Sequence, residues 1–210
     1  MIACTLRLPG LKDRPGLHTM RIIVGITGAT GTIYGVRLLE RLREAGVDTH
    51  LVISRWGART LMHETPYSRE QVEALASATY APGDMGAAIS SGSFRTDGMI
   101  IAPCSAKTLA AIAHGYGDSL IHRAADVTIK ERRRLVLAVR EAPLSDIHLE
   151  NMLKLSRMGV VILPPLPAFY NHPTTIDDLV DQAVARMLDQ FGLETRGVER
   201  WAGEMDVGGD

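Results

Sequence analysis

Residues 21–46, RIIVGITGATGTIYGVRLLERLREAG, decide the fold. Ile22-Ile23-Val24-Gly25-Ile26 is an apolar, β-branched run closed by glycines, the pattern of a strand buried on both faces. From about residue 33 to 45 the period changes. Val36, Leu38, Leu39 and Leu42 form one helical face, and Gly46 stops the helix. Strand, glycine-rich turn and helix together make the first half of a βαβ crossover.

Outward from there, the same alternation continues. Residues 49–54 (THLVIS) read as a second strand, followed by a helical stretch through Leu61. Residues 65–97 are less regular, with a helical pattern near 69–78 and then the small-residue segment GDMGAAISSGS. Residues 99–103 (MIIAP) form a third strand, and 105–114 a helix capped by Ser105. Residues 134–139 (RLVLAV) are a fourth strand and 145–158 a helix with Leu149, Met152, Leu153 and Leu155 on its apolar side. Residues 160–163 are a fifth strand. A proline-rich turn leads to a last helix, 175–191, opened by a Thr175/Asp178 capping box. The expected fold is α/β: a single-domain, doubly wound parallel sheet sandwich of Rossmann type over residues 20–192. Residues 1–19, charged and holding two prolines, read as a disordered extension, and 193–210 as a polar tail anchored by Trp201.

The 210 residues carry a formal net charge of −1, so no long-range field steers the protein toward nucleic acid or an anionic membrane. No apolar stretch approaches the roughly 20 residues that cross a bilayer. Of the two cysteines, Cys104 follows an apolar run expected to be buried, so a disulfide with Cys4 is not expected and the cytoplasm fits. The seven histidines show no metal-ligand spacing and no Cys–His cluster accompanies them, so a catalytic metal is not expected.

In open α/β sheets, ligands bind outside the carboxyl ends of the strands. Those ends deliver Gly28-Ala29-Thr30 from strand one, Ser54 from strand two and Ser105-Ala106-Lys107-Thr108 from strand three. Strand four delivers Arg140-Glu141, and strand five the turn that ends at Tyr170. The glycine turn lets backbone N–H groups approach a phosphate at a helix N-terminus. It is not a Walker A loop, because no Gly-Lys-Ser/Thr follows. A nicotinamide dinucleotide is disfavoured: strand two ends in Ser54 without an acidic ribose ligand, and no tyrosine has a lysine four residues on. Ser105 is open to two readings, an ordinary N-cap or a phosphate ligand. Cys104 reads as a small buried apolar residue. Arg132 to Arg134 read as a solvated charged turn. Arg140 and Glu141 close a strand expected to be buried, where charge is costly unless paired or ligand-bound.

TGATGTIYGVRLL, SSGSF, APCSAKTLAAIA, RAADVTIKERR, LVLAVREAPLSDIHLENMLKLSRMG and ILPPLPAFYNHP together resemble the UbiX-like flavin prenyltransferases, from about Met20 to Phe191. The resemblance implies a flavodoxin-like sandwich, assembled as a homododecamer with active sites between subunits. It implies transfer of a dimethylallyl group from dimethylallyl phosphate to N5 and C6 of reduced FMN, without metal. The prenylated FMN then serves a UbiD-type decarboxylase of aromatic or unsaturated acids, in ubiquinone synthesis or aromatic acid breakdown.

Carried over residue by residue, Gly28, Ala29, Thr30, Ser54, Ser105, Ala106, Lys107, Thr108 and Arg140 would bind FMN. Lys130, Tyr170, Arg186 and Arg123 would hold the prenyl phosphate, Arg123 from the same or a neighbouring subunit. Glu141 would relay a proton, and Glu64 and Thr30 would act at the flavin ring. Two departures stand out. Thr30 replaces a frequent serine, and Met85 replaces a tryptophan that lines the prenyl pocket in some members. Met85, Ala87, Ala88 and Trp201 are the apolar candidates for that pocket. Two other classes share the fold and FMN: cysteine decarboxylases, whose PASANT-like segment and catalytic histidine contrast with PCSAKT here, and a non-catalytic FMN-carrying accessory subunit.

Overall fold

The computed structural model describes residues 19–195, 197–198, 200–201 and 203. The expected disordered extension, apart from Thr19, and Cys4 with it, lie outside the described residues, as does most of the tail. Six parallel strands form one sheet in the order β3-β2-β1-β4-β5-β6. In chain order, β1 (Arg21–Ile26), α1 (Thr32–Glu44), β2 (Asp48–Ile53), α2 (Arg55–Glu64), α3 (Arg69–Glu73) and β3 (Ala78–Tyr80) build one half. A 3-10 turn (Ala88–Ser90) returns the chain to β4 (Gly98–Cys104), beside β1. Then follow α4 (Ala106–Ala113), α5 (Leu120–Lys130), β5 (Arg134–Val139), α6 (Asp146–Arg157), β6 (Val161–Ile162) and α7 (Ile176–Asp189). The strand order reverses between β1 and β4, which puts the ligand-binding crevice at their carboxyl ends.

The two-residue period of the strands splits the core into two layers. Ile22, Val24 and Ile26 of β1 pack with Ile100, Val136, Val36, Leu39, Val180 and Val184, under α1 and α7. Ile23 packs with Met99, Ile101, Leu135, Leu137, Leu109 and Ile121, under α4 and α5. A continuous apolar run was therefore the right signature for β1, because neighbours cover both of its faces. Close packing also explains Gly35 in α1, where a Cβ would stand 2.5 Å from the Ala102 carbonyl oxygen of β4.

Three expectations change. The helical pattern near 69–78 ends early: α3 covers five residues with a Ser68/Gln71 capping box, and β3 follows as an edge strand, His50 pairing with Ala78. The charged stretch before β5 is a helix that the sequence reading lacked. α5 buries Leu120, Ile121, Ala124, Ala125, Val127 and Thr128, a helical stripe built largely of small residues and masked by charges between them. The apolar side of α6 is divided: Leu155 is buried, whereas Leu149 and Leu153 are about half exposed. In the tail, the Trp201 ring meets Tyr170 edge to face with centroids 5.9 Å apart.

Candidate active site

At the switch point, Thr27 joins the ends of the two central strands. Its hydroxyl donates to the Pro103 carbonyl at 2.7 Å and accepts the Ser105 N–H at 2.8 Å, with the side chain buried. This clip sets where α4 starts. A cleft of about 310 Å³ opens beside it, lined among others by Gly28, Ser54, Trp56, Ser105, Thr108 and His122. The starts of α2, α4 and α5 all contribute to its wall. Ser54, Ser105 and Ser119 cap those helices, each accepting an N–H from its first turn. Three positive helix ends and the nearby Arg55 and Lys107 favour an anion, and the exposed Trp56 ring offers a flat apolar face. These residues fit a phosphate-bearing, ring-containing ligand such as FMN.

The glycine turn itself behaves differently from the expectation. The Glu64 carboxylate, at the end of α2, accepts the N–H groups of Gly31 (2.9 Å) and Thr32 (3.1 Å) and the Thr32 hydroxyl (3.0 Å). Burial alone would raise this carboxyl, but hydrogen bonds from the Thr30 side chain and from the Thr32 and Gly31 amides outweigh it and hold it below the usual range. A protein carboxylate thus occupies the anion site at the start of α1. Gly31, at φ 91°, takes the left-handed conformation that glycine tolerates. Gly28 is demanded by close packing, since a Cβ there would overlap the Cβ of Trp56.

Of the residues expected to act together, Thr30 and Glu64 do meet, and Gly28, Ser54, Ser105, Lys107 and Thr108 share the cleft. Ala29 sits in the adjoining turn, and Ala106 opens α4. Arg140 and Glu141 follow the last buried residue of β5, Val139, and are exposed, so the argument from buried charge fails for both. Among the described residues Glu141 accepts only the neighbouring Ala142 N–H, and Arg140 lies near the Tyr34 hydroxyl, whose ionisation burial disfavours and Arg140 favours.

The remaining candidates are elsewhere. Tyr170, Arg186 and Trp201 line a separate cavity of about 640 Å³ along α7. Asp189 gathers that cavity's arginines, accepting Arg186 at 2.9 Å and Arg200 at 2.6 and 2.9 Å. Arg123 donates to the Ser90 carbonyl at 3.1 Å and pairs with Asp126 at 2.7 Å. α5 runs from the cleft back to the amino end of β5, so Lys130 pairs with Glu131 at the opposite sheet edge. Met85 stands exposed in the loop after β3, outside the lining of the α7 cavity that holds Trp201. Arg133 is not a solvated charge, since it donates to the Gly92 and Phe94 carbonyls. Cys104 is fully buried, and burial pushes its thiol far up.

The Flavoprotein family model matches residues 13–188. A protein of Streptomyces sp. (strain D7) named "Probable UbiX-like flavin prenyltransferase" is 63% identical over 88% of this chain and 92% of its own. The chain belongs to the UbiX-like flavin prenyltransferases. Within that family, the crystal structure of AnUbiX (PadA1) in complex with FMN and dimethylallyl pyrophosphate superposes with a TM-score of 0.88. It is 55% identical and covers 90% of this chain and all of that one. A dodecameric FMN-dependent UbiX-like decarboxylase from Escherichia coli O157:H7 gives 0.87 at 62% identity, covering 88% and all of the respective chains. The FMN-dependent cysteine decarboxylase SpaF, at 18% identity and a TM-score of 0.57 over 69% of this chain and 83% of its own, shares the fold alone.

Sequence reasoning missed two groups in the cleft, Trp56 and the Asp118–His122 pair. Trp56 follows Ser54 by two residues, and its position just inside a helix start at a strand's carboxyl end was the available signal. Nothing in sequence tied His122 to a ligand; only the fold of α5 carries it there.

Proposed function

We propose that this protein transfers the dimethylallyl group of dimethylallyl phosphate to reduced FMN, making prenylated FMN for a UbiD-type decarboxylase. The observation that carries this reading is the cleft at the switch point, with three helix starts converging on it, in a chain 63% identical to a UbiX-like relative. Bound FMN supplies the nucleophilic ring that accepts the prenyl group. Ser54, Ser105 and Thr108 hold its phosphate through hydroxyls and first-turn amides, with Lys107 adding charge. Trp56 screens the ring from water on one side. Arg140 contacts the flavin, and Glu141 moves the proton released at the ring carbon.

Tyr170 and Arg186 bind the prenyl phosphate with Trp201 beside them, while Lys130 and Arg123 stabilise the departing phosphate. In a single chain the cleft, the α7 cavity and Lys130 lie apart, so the complete site forms where subunits meet, in a homododecamer. Exposed Ile147, Leu149, Leu153 and Phe169 offer apolar surface for such contacts. Among the described residues no helix is long and apolar enough to cross a membrane. We assign the enzyme to the cytoplasm, a compartment whose membrane retains charged phosphate esters such as both substrates.

The test is anaerobic incubation with reduced FMN and dimethylallyl phosphate, followed by the mass of the extracted flavin. A flavin heavier by one five-carbon prenyl unit is expected. Recovery of FMN unchanged from an assembled, flavin-loaded protein overturns the reading.

A further inference from the structure

We propose that His122 is a positioning residue for the flavin, presenting the unpartnered Nε2 of a neutral ring as hydrogen-bond acceptor to a donor on the ligand. The inference rests on the FMN reading above. His122 sits in the first turn of α5, 6% exposed, and lines the cleft together with Asp118 and Ser119. Its Nδ1 stands 2.7 Å from Asp118 Oδ1. A carboxylate can only accept, so Nδ1 carries the hydrogen and the lone pair belongs to Nε2. Among the described residues, Nε2 has no hydrogen-bond partner. Burial lowers the affinity of the ring for a second proton more than Asp118 raises it, and nearby Lys107 lowers it further, which keeps the ring neutral. Lys107 Nζ, 3.8 Å from Asp118 Oδ2, steadies the carboxylate from the side of α4.

His50, the other histidine of similar burial, differs. Its Nδ1 meets the Tyr80 hydroxyl at 2.8 Å, its ring packs on Tyr80 and Phe94, and its Nε2 is sealed from solvent, so it serves the core. Of the other polar groups of the cleft, Asp118 is engaged with His122 Nδ1 and faces Lys107, the cations Arg55 and Lys107 and the helix N-termini suit anionic or acceptor atoms, and the hydroxyls serve either way. Nε2, which carries no hydrogen and has no partner among the described residues, calls for an O–H or N–H. FMN offers two such sources, the ribityl hydroxyls and the ring imide N3–H.

The experiment measures the dissociation constant of oxidised FMN for the full chain as wild type, His122→Met and His122→Gln, with melting curves to confirm folding. His122→Met removes the acceptor at similar volume and is expected to bind about tenfold more weakly. His122→Gln, which keeps a carbonyl oxygen, is expected to recover most of that loss. N3-methyl-FMN separates the sources. If the imide is the donor, the wild type loses its advantage over His122→Met; if a ribityl hydroxyl is, the advantage persists. Folded His122→Met binding FMN as tightly as wild type overturns the proposal while the flavin reading stands. Wild type binding no FMN removes both. Should His122→Met not fold, His122→Leu is measured in its place and read the same way.

Discussion

Two cavities, the cleft at the switch point and the one along α7, are built on different plans. The cleft at the switch point is assembled from strand ends and helix starts, which the sheet holds rigidly, and its polar groups are mostly bonded within the chain. The larger cavity along α7 is walled by one helix, a proline-rich turn and the tail, and two arginines converge there on Asp189. The first is finished by folding. The second holds only part of the proposed chemistry, because Glu141 and Lys130 lie outside it. On the proposed reading, flavin binding is a property of one chain and prenyl transfer a property of the assembly.

The sharpest way to break that distinction is Glu141→Gln. The residue is exposed and, among the described residues, makes only a local hydrogen bond, so the fold, FMN affinity and assembly should be unchanged. Prenylation measured by flavin mass should fall by about 10²–10⁴-fold, the usual worth of a positioned proton relay. A variant that still turns over near the wild-type rate would remove Glu141 from the mechanism. Thr27→Val is the converse. It removes the clip between Pro103 and Ser105 and leaves a buried carbonyl and a half-buried N–H without that partner, costing about 1–3 kcal/mol. Denaturant unfolding should show that loss, and FMN binding should weaken while the α7 cavity is untouched.

A smaller effect is expected at Glu64. Its folded-state pKa is depressed, so its contribution is present above the ordinary carboxylate pKa and is lost as pH falls through the lower, folded value. Glu64→Gln should therefore lower stability near neutral pH by about 0.3–1 kcal/mol, the scale of an exposed charge at a helix N-terminus, and by progressively less in acid. Melting curves of the two proteins at pH 7 and pH 3 read this directly. A constant difference across that range would mean that the carboxylate charge is not what holds the turn.

Sequence alone determined the doubly wound sheet, because a strand covered on both faces must be apolar throughout and its crossover helix must carry a stripe. It also determined the helix caps at Ser105 and Thr175, since capping depends on neighbours a few residues away. The family was legible in blocks such as REAPLSDIHLENM. Tertiary structure decided the rest. α5 was hidden because Ala124 and Ala125 bury little side chain, and only packing beneath β4 and β5 makes them core. Arg140 and Glu141 looked buried by adjacency to Val139, yet exposure is set by what lies above the strand end, and no segment of the described chain covers them. Glu64 reached the start of α1, and His122 the cleft at the switch point, across distances that no local spacing encodes. Local patterns record which elements form; which side chains meet at the sheet edge depends on strand order, and that is settled only when both faces of the sheet are covered.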